Sequence, residues 1–169
     1  MPRKINRIII HTSASYNILR GVLDPSAKDI DRMHRARGWN GIGYHRVIRR
    51  NGVVEFGRDD DMVGAGVAWA NSDTLHVCCT GSGDHADFTE AQKESLAKLC
   101  YMWLKKHGML EAFHKNPFRI LGHKEINVLV AAGIYPERAR TTKSCPGKKV
   151  SMEQIRERIY RHVAKAEGW

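Results

Sequence analysis

Three residues of types that bind zinc, His11, His123 and Cys145, stand out in this sequence. Each histidine ends a short apolar segment, and Cys145 lies in a basic loop just before a proline. Two imidazoles and one thiolate leave the fourth coordination position of zinc open for water, as in catalytic rather than structural zinc sites. Taken singly, each histidine is better explained as a core or capping residue. Cys145 has the alternative of a buried thiol, but its basic loop is not typical of a core, and the neighbouring cations would favour the thiolate. Together the three predict one zinc ion per chain.

A zinc hydrolase that cleaves amides also needs a donor for the developing oxyanion and a group that moves protons. Lys143 lies two residues before Cys145, close enough to place its ammonium near the metal. Tyr44 opens a predicted strand and is able to direct its hydroxyl into the same cleft. The alternatives are a strand aromatic for Tyr44 and a solvated surface lysine for Lys143.

Strands alternating with amphipathic helices must position these side chains. We predict a buried strand at 5–11, a hairpin of strands 44–50 and 53–56 around Asn51-Gly52, and short strands at 75–80 and 119–121. Capping boxes predict helices that begin after Ser26, Thr89 and Ser151, with Gly38 and Gly108 ending the first two. This pattern predicts one α/β (α+β) domain spanning residues 1–169, with a central mixed β-sheet flanked by helices. His11 and His123 would then lie at strand ends, where ligands collect.

Composition limits the possible classes of protein. The 169 residues carry a net charge of +10, which favours polyanions such as nucleic acid, anionic membranes or an acidic wall polymer. No apolar run approaches the roughly 20 residues that span a bilayer, and the N-terminal run is too short for a signal peptide. We therefore expect synthesis in the cytoplasm and no transmembrane segment. Cys78, Cys79 and Cys100 are interpreted as buried apolar residues.

Five short motifs, in order along the chain, together resemble the zinc N-acetylmuramoyl-L-alanine amidases. That family includes bacteriophage lysozymes of the amidase type and animal peptidoglycan recognition proteins. The resemblance extends from about Arg7 to Pro146. The motifs are Ile8-Ile-Ile-His11, Gly43-Tyr44-His45 followed by Arg50 to Arg58, Phe88-Thr-Glu-Ala-Gln92, Gly122-His123 and Lys143-Ser-Cys145-Pro146.

The resemblance implies that His11, His123 and Cys145 hold zinc and that Tyr44 and Lys143 assist catalysis. The bond cleaved would join the lactyl group of N-acetylmuramic acid to L-alanine in peptidoglycan. A lone catalytic domain is similar to small endolysins, which act on the cell wall after release from the cytoplasm. We expect a monomer.

Some positions depart from the family pattern or have less specific roles. Trp69 and Asn71 lie in a loop predicted to border the groove, where an aromatic ring beside a sugar and plain packing are both reasonable. That loop lacks a histidine found in related phage enzymes, and residues 127–140 resemble an insertion. We interpret Asp59 to Asp61 as a solvated turn and His45 as structural. The remaining histidines are interpreted as surface or helix-end residues: His34, His76, His85, His107, His114 and His162.

Three other functions compete with a peptidoglycan-cleaving endolysin. A peptidoglycan-binding protein without turnover would lack a complete ligand set, whereas Cys145 is present. A cytosolic amidase that recycles muropeptides would use the same chemistry. A nucleic-acid-binding or polymerase-regulating protein is suggested by charge alone, and no motif supports it. We therefore expect no stable nucleic-acid complex, and binding to a polymerase stays open.

Overall fold

A five-stranded mixed sheet lies at the centre of the computed structural model, which describes residues 2–169. Short 3₁₀ turns at Pro117–Arg119, His123–Glu125 and Glu137–Ala139 join some of the elements. In chain order the elements are β1 (Arg7–Thr12), β2 (Tyr16–Asn17), β3 (Gly21–Val22), α1 (Ala27–Ala36), β4 (Arg46–Ile48), β5 (Val54–Phe56), β6 (Thr74–Cys79), α2 (Glu90–Lys106), α3 (Leu110–Lys115), β7 (Ile120–Gly122), α4 (Ile126–Ala131) and α5 (Met152–Glu167).

The strand order in the sheet is β5-β4-β6-β1-β7, with β2 and β3 forming a separate small hairpin. Strand β5 runs antiparallel to β4, whereas β4, β6, β1 and β7 run parallel to one another. In the pairing of β1 with β6, Ile9 lies opposite His76 and His11 opposite Cys78. The predicted mixed sheet flanked by helices is therefore confirmed.

Helices cover both faces of the sheet, which explains why β1 is a continuous apolar run rather than an alternating one. Ile8 and Ile10 belong to the core formed with α2 and α5, which includes Trp103. Ile9 faces the other way, into a cluster with Leu129 of α4. Because side chains alternate along a strand, His11 and His76 project to the same side as Ile9. The candidate site therefore lies on the face covered by α1 and α4.

The helix boundaries follow the predicted caps. Ser26 accepts a hydrogen bond from the Asp29 backbone N–H at 3.1 Å, and Thr89 accepts one from that of Gln92 at 3.0 Å. Gly38 ends the first helical segment with a φ of +89°, a conformation that favours glycine. The predicted hairpin is also present, although its first strand is shorter than 44–50.

Some features of the fold were not predicted. Helix α3 and the small β2–β3 hairpin are among them. Residues 127–140 contribute most of α4 and pack against the sheet, and their interpretation as an insertion stays a prediction. Asp60 is buried rather than solvated: its carboxylate accepts hydrogen bonds from Arg46 Nη1 at 2.9 Å and Trp103 Nε1 at 3.1 Å. The charge of Asp60 thus compensates that of a buried arginine.

No helix within residues 2–169 is both long enough and apolar enough to cross a membrane. Cys78, Cys79 and Cys100 are buried, as predicted.

Candidate active site

The side chains of His11, His123 and Cys145 converge in the structure. Their potential ligand atoms all lie within 4.8 Å of one another. His11 Nδ1 lies 3.7 Å from Cys145 Sγ. Nitrogen and sulfur ligands bound tetrahedrally to zinc at about 2.0 and 2.3 Å would be about 3.5 Å apart, so the observed separation fits a shared ion. The structure therefore brings together the three residues predicted as ligands.

The sheet positions the two histidines. His11 is the penultimate residue of β1, and His123 directly follows β7, the parallel neighbour of β1. Parallel strands present their carboxyl ends at one edge, so the two imidazoles meet there, with their ring centroids 5.1 Å apart.

Hydrogen bonds from three segments hold the loop that carries Cys145. The Cys145 carbonyl accepts a hydrogen bond from the Lys124 backbone N–H at 2.7 Å, next to His123. Asp84 accepts hydrogen bonds from Ser144 Oγ and from the Lys148 backbone N–H, both at 2.8 Å. The Thr12 backbone N–H points at Cys145 Sγ from 3.4 Å. The thiol is thereby fixed beside the end of β1.

Burial controls protonation at the three candidate ligands. It lowers the pKa of His11 well below its ordinary value and that of His123 to about 4, so both imidazoles are neutral, the form that binds a metal. Burial also raises the pKa of Cys145 to about 11, although the Thr12 N–H and the Lys143 charge oppose this rise. The basic neighbours do favour the thiolate, as predicted, but burial outweighs them in the protein alone. Coordination to a metal deprotonates such a thiol outright.

Tyr44 and Lys143 line the same cleft as the three candidate ligands, a space of about 340 Å³. The Tyr44 ring centroid lies 5.0 Å from that of His11. Burial raises the pKa of Tyr44 well above its ordinary value, so its hydroxyl keeps its proton and acts as a hydrogen-bond donor. Lys143 is exposed at the mouth, and its charge contributes to the lowered pKa values of His11 and His123.

The two residues predicted to bind substrate lie farther out. Asn71 lines an adjacent cleft of about 370 Å³ that shares Trp39, His123 and Lys143 with the first. Its Oδ1 accepts hydrogen bonds from the Gly66 and Val67 backbone N–H groups at 3.1 and 2.9 Å, which holds the loop in shape. Trp69 is exposed, and the Arg138 guanidinium lies 4.9 Å from its ring centroid. Contact of either residue with substrate stays a prediction.

Two histidines that we interpreted as surface or helix-end residues are buried. His34 does lie in the last turn of α1, whereas the interpretation is wrong for His76, which lies within β6. His34 Nδ1 accepts a hydrogen bond from the Gly43 backbone N–H at 2.9 Å, and the ring lines the cleft. His76 is fully buried and contacts His11 directly, with 2.9 Å between His76 Nδ1 and His11 Nε2. The signal in the sequence is that His76 interrupts a mostly apolar strand, and the register of β6 against β1 turns it to the same side as His11.

His45 is structural, as predicted. Its Nδ1 accepts a hydrogen bond from the His76 backbone N–H at 3.0 Å, and its Nε2 lies 2.8 Å from the Met62 carbonyl oxygen. His45 thus ties β6 to the loop that follows β5. Trp39, interpreted as packing against α1, contacts His34 of that helix and also lines both clefts.

Comparison with known proteins connects this geometry to a family. Residues 1–148 match the family model described as N-acetylmuramoyl-L-alanine amidase. The chain belongs to the N-acetylmuramoyl-L-alanine amidase family. The resemblance inferred from its motifs is thereby confirmed.

Two relatives of this chain are phage endolysins. The endolysin of Klebsiella phage KP32 is 37% identical over 102 residues, which cover 57% of this chain and 65% of the phage protein. The endolysin of Escherichia phage T7 is 34% identical over 115 residues, 64% of this chain and 74% of the phage protein. The chain thus matches slightly less than two thirds of the Klebsiella phage protein.

A solved amidase structure has the same fold. N-acetylmuramoyl-L-alanine amidase LysC from Clostridium intestinale URNW superposes with a TM-score of 0.72, covering 94% of this chain and 87% of LysC. The two share 23% sequence identity, so this comparison supports the amidase fold.

Proposed function

We propose that this protein is a zinc-dependent peptidoglycan hydrolase that cleaves the amide bond between N-acetylmuramic acid and L-alanine. The observation that carries the proposal is the convergence of two imidazoles and one thiol in a cleft that also contains Tyr44 and Lys143. Membership of the amidase family and similarity to phage endolysins support the same substrate and bond.

His11, His123 and Cys145 would hold one zinc ion per chain. Two neutral nitrogens and one sulfur at tetrahedral spacing fit this ion, and they leave one coordination position for solvent or substrate. When bound, zinc supplies Lewis-acid polarisation of the amide carbonyl and activation of a water molecule.

Tyr44 and Lys143 supply the remaining chemistry. The protonated Tyr44 hydroxyl donates a hydrogen bond to the carbonyl oxygen as negative charge develops on it. The Lys143 ammonium lies at the mouth of the same cleft and adds positive charge there. One of these two groups passes a proton to the departing L-alanine nitrogen. The adjacent cleft, with Asn71 on its wall and Trp69 nearby, would accommodate more of the glycan or stem peptide.

The setting of this reaction would be the bacterial cell wall. A net charge of +10 favours accumulation on an anionic envelope, an effect that salt weakens. We propose that the protein acts there as an endolysin after release from the cytoplasm, and that it works as a monomer.

The test is digestion of purified cell-wall sacculi by the zinc-loaded protein. We expect new free L-alanine amino groups, no new reducing sugar ends, loss of activity with a chelator and recovery with added zinc. New reducing ends instead would identify a glycosidase. Cys145→Ser should abolish turnover yet still bind sacculi, and a variant that stays active would refute the ligand assignment. Binding without turnover by the zinc-loaded wild type would indicate a recognition protein, and activity on soluble muropeptides alone would indicate a recycling amidase.

A further inference from the structure

Behind the candidate ligands lies a buried histidine that the proposed chemistry does not use. We propose that His76 is a positioning residue, which fixes the tautomer and orientation of His11 so that Nδ1 of His11 faces the metal. The inference rests on the proposed function, because it assigns His76 a role towards the same zinc ion.

The direction of each hydrogen bond follows from Thr74, at the start of the chain of contacts. The Thr74 hydroxyl lies 2.7 Å from the Ala70 carbonyl oxygen, an acceptor, and therefore donates its only proton there. His76 Nε2, 2.9 Å from Thr74 Oγ1, must then be the donor in that second contact. A neutral His76 with its proton on Nε2 has a bare Nδ1.

The bare nitrogen of His76 determines the state of His11. His76 Nδ1 lies 2.9 Å from His11 Nε2, so His11 carries its proton on Nε2 and donates it to His76. The lone pair of neutral His11 is then on Nδ1, the atom 3.7 Å from Cys145 Sγ. The chain Ala70–Thr74–His76–His11 therefore presents a ligand lone pair to the metal position without any rearrangement.

Close packing holds the His76 ring in place. A Cβ at Gly64 would lie 2.7 Å from His76 Cδ2, and one at Gly66 would overlap His76 Nδ1. The glycine-rich loop thus runs directly over the ring. The His45 ring lies nearly parallel to that of His76 with the centroids 5.8 Å apart, and His45 Nδ1 accepts a hydrogen bond from the His76 backbone N–H. His76, Thr74 and His11 are all almost completely buried, so solvent does not compete for these hydrogen bonds.

Partners that orient a metal-binding histidine typically change metal affinity about 10- to 100-fold when they are removed. The orienting group here is a second neutral imidazole. His76 contributes by its acceptor nitrogen and not by charge, so a neutral acceptor at the same place should substitute for it.

The test compares two variants of nearly equal size. In His76→Asn the side-chain oxygen takes the place of Nδ1 as the acceptor for His11, whereas His76→Leu removes the acceptor. We expect His76→Leu to weaken zinc binding about 10- to 100-fold in competition with a chromophoric chelator, and His76→Asn to stay close to wild type. Wild-type affinity in His76→Leu, or equal weakening in both variants, would overturn the proposal.

A second measurement needs no variant and covers the case in which His76→Leu fails to fold. Long-range proton–nitrogen NMR spectra of the zinc-loaded wild type should show His76 protonated at Nε2 only, and His11 protonated at Nε2 with Nδ1 bound to the metal. A proton on His76 Nδ1 would refute the positioning role even if zinc binds. Failure of the wild type to bind zinc would instead refute the proposed function itself.

Discussion

Replacement of Tyr44 by phenylalanine isolates the contribution of one hydroxyl group to turnover. The ring packs beside the imidazoles of His11 and His34, at 5.0 and 5.5 Å between centroids, and phenylalanine keeps these contacts. We therefore expect unchanged stability and unchanged zinc affinity in Tyr44→Phe.

The expected loss in kcat follows from the state of the hydroxyl. Removing one donor to a developing oxyanion costs about 100- to 1,000-fold in kcat, or about 2.7–4 kcal/mol. Burial raises the pKa of Tyr44, so the group is an uncharged donor that keeps its proton, the kind of donor to which this range applies. A loss of about 100- to 1,000-fold is therefore expected.

The assay is the initial rate of L-alanine amino-end release from sacculi, measured over a range of substrate concentrations with zinc-loaded protein. Lys143→Met is the comparison, because Lys143 lines the same cleft but is exposed. Lys143 acts through a charge that dissolved ions screen, so the reduction in rate caused by Lys143→Met should depend on salt concentration. The reduction caused by Tyr44→Phe should not. A wild-type rate in Tyr44→Phe would exclude the hydroxyl from the chemistry, and a raised KM with unchanged kcat would make Tyr44 a substrate-binding residue instead.

Two further predictions concern stability. Asp60→Asn should lower the free energy of unfolding by about 3–5 kcal/mol in urea titrations, because it leaves the buried guanidinium of Arg46 without its counter-charge. The control is Asp61→Asn, at the exposed neighbouring position. Equal destabilisation by the two substitutions would contradict the argument. Burial lowers the pKa of His45 to about 4 from an ordinary value near 6.5. Between these pH values His45 binds a proton in the unfolded chain but not in the folded one. The free energy of unfolding therefore decreases as the pH falls from about 6.5 to about 4. Protonation of His45 alone should lower the free energy of unfolding of the metal-free protein by about 2 kcal/mol between pH 7 and pH 5. In His45→Gln, whose side chain does not titrate, the free energy of unfolding should decrease correspondingly less over the same range.

The two histidine ligands were predictable because the residues that precede them are typical of strand ends. His11 and His123 each follow a short apolar run, and parallel strands bring their carboxyl ends to one edge of a sheet. Cys145 was predictable only through its motif, since its place depends on hydrogen bonds to Asp84 and Lys124 from distant segments.

What the sequence did not reveal depends on contacts between distant residues. His76 resembles an isolated polar residue in a strand until the register of β6 against β1 places it beside His11. Asp60 sits in a run of three aspartates, and only the packing of Trp103 and Arg46 around it distinguishes it from its solvated neighbours. Local patterns do not record which side chains a fold brings together.

The contact between Gly83 and Gly147 has a consequence for biosynthesis. A Cβ on either glycine would overlap the backbone of the segment that carries the other, so the Cys145 loop packs backbone to backbone against the segment that follows β6. The thiol therefore joins the two imidazoles only after this late part of the chain has emerged from the ribosome and docked. Truncated translation products that stop short of the loop would carry two histidines but no complete ligand set.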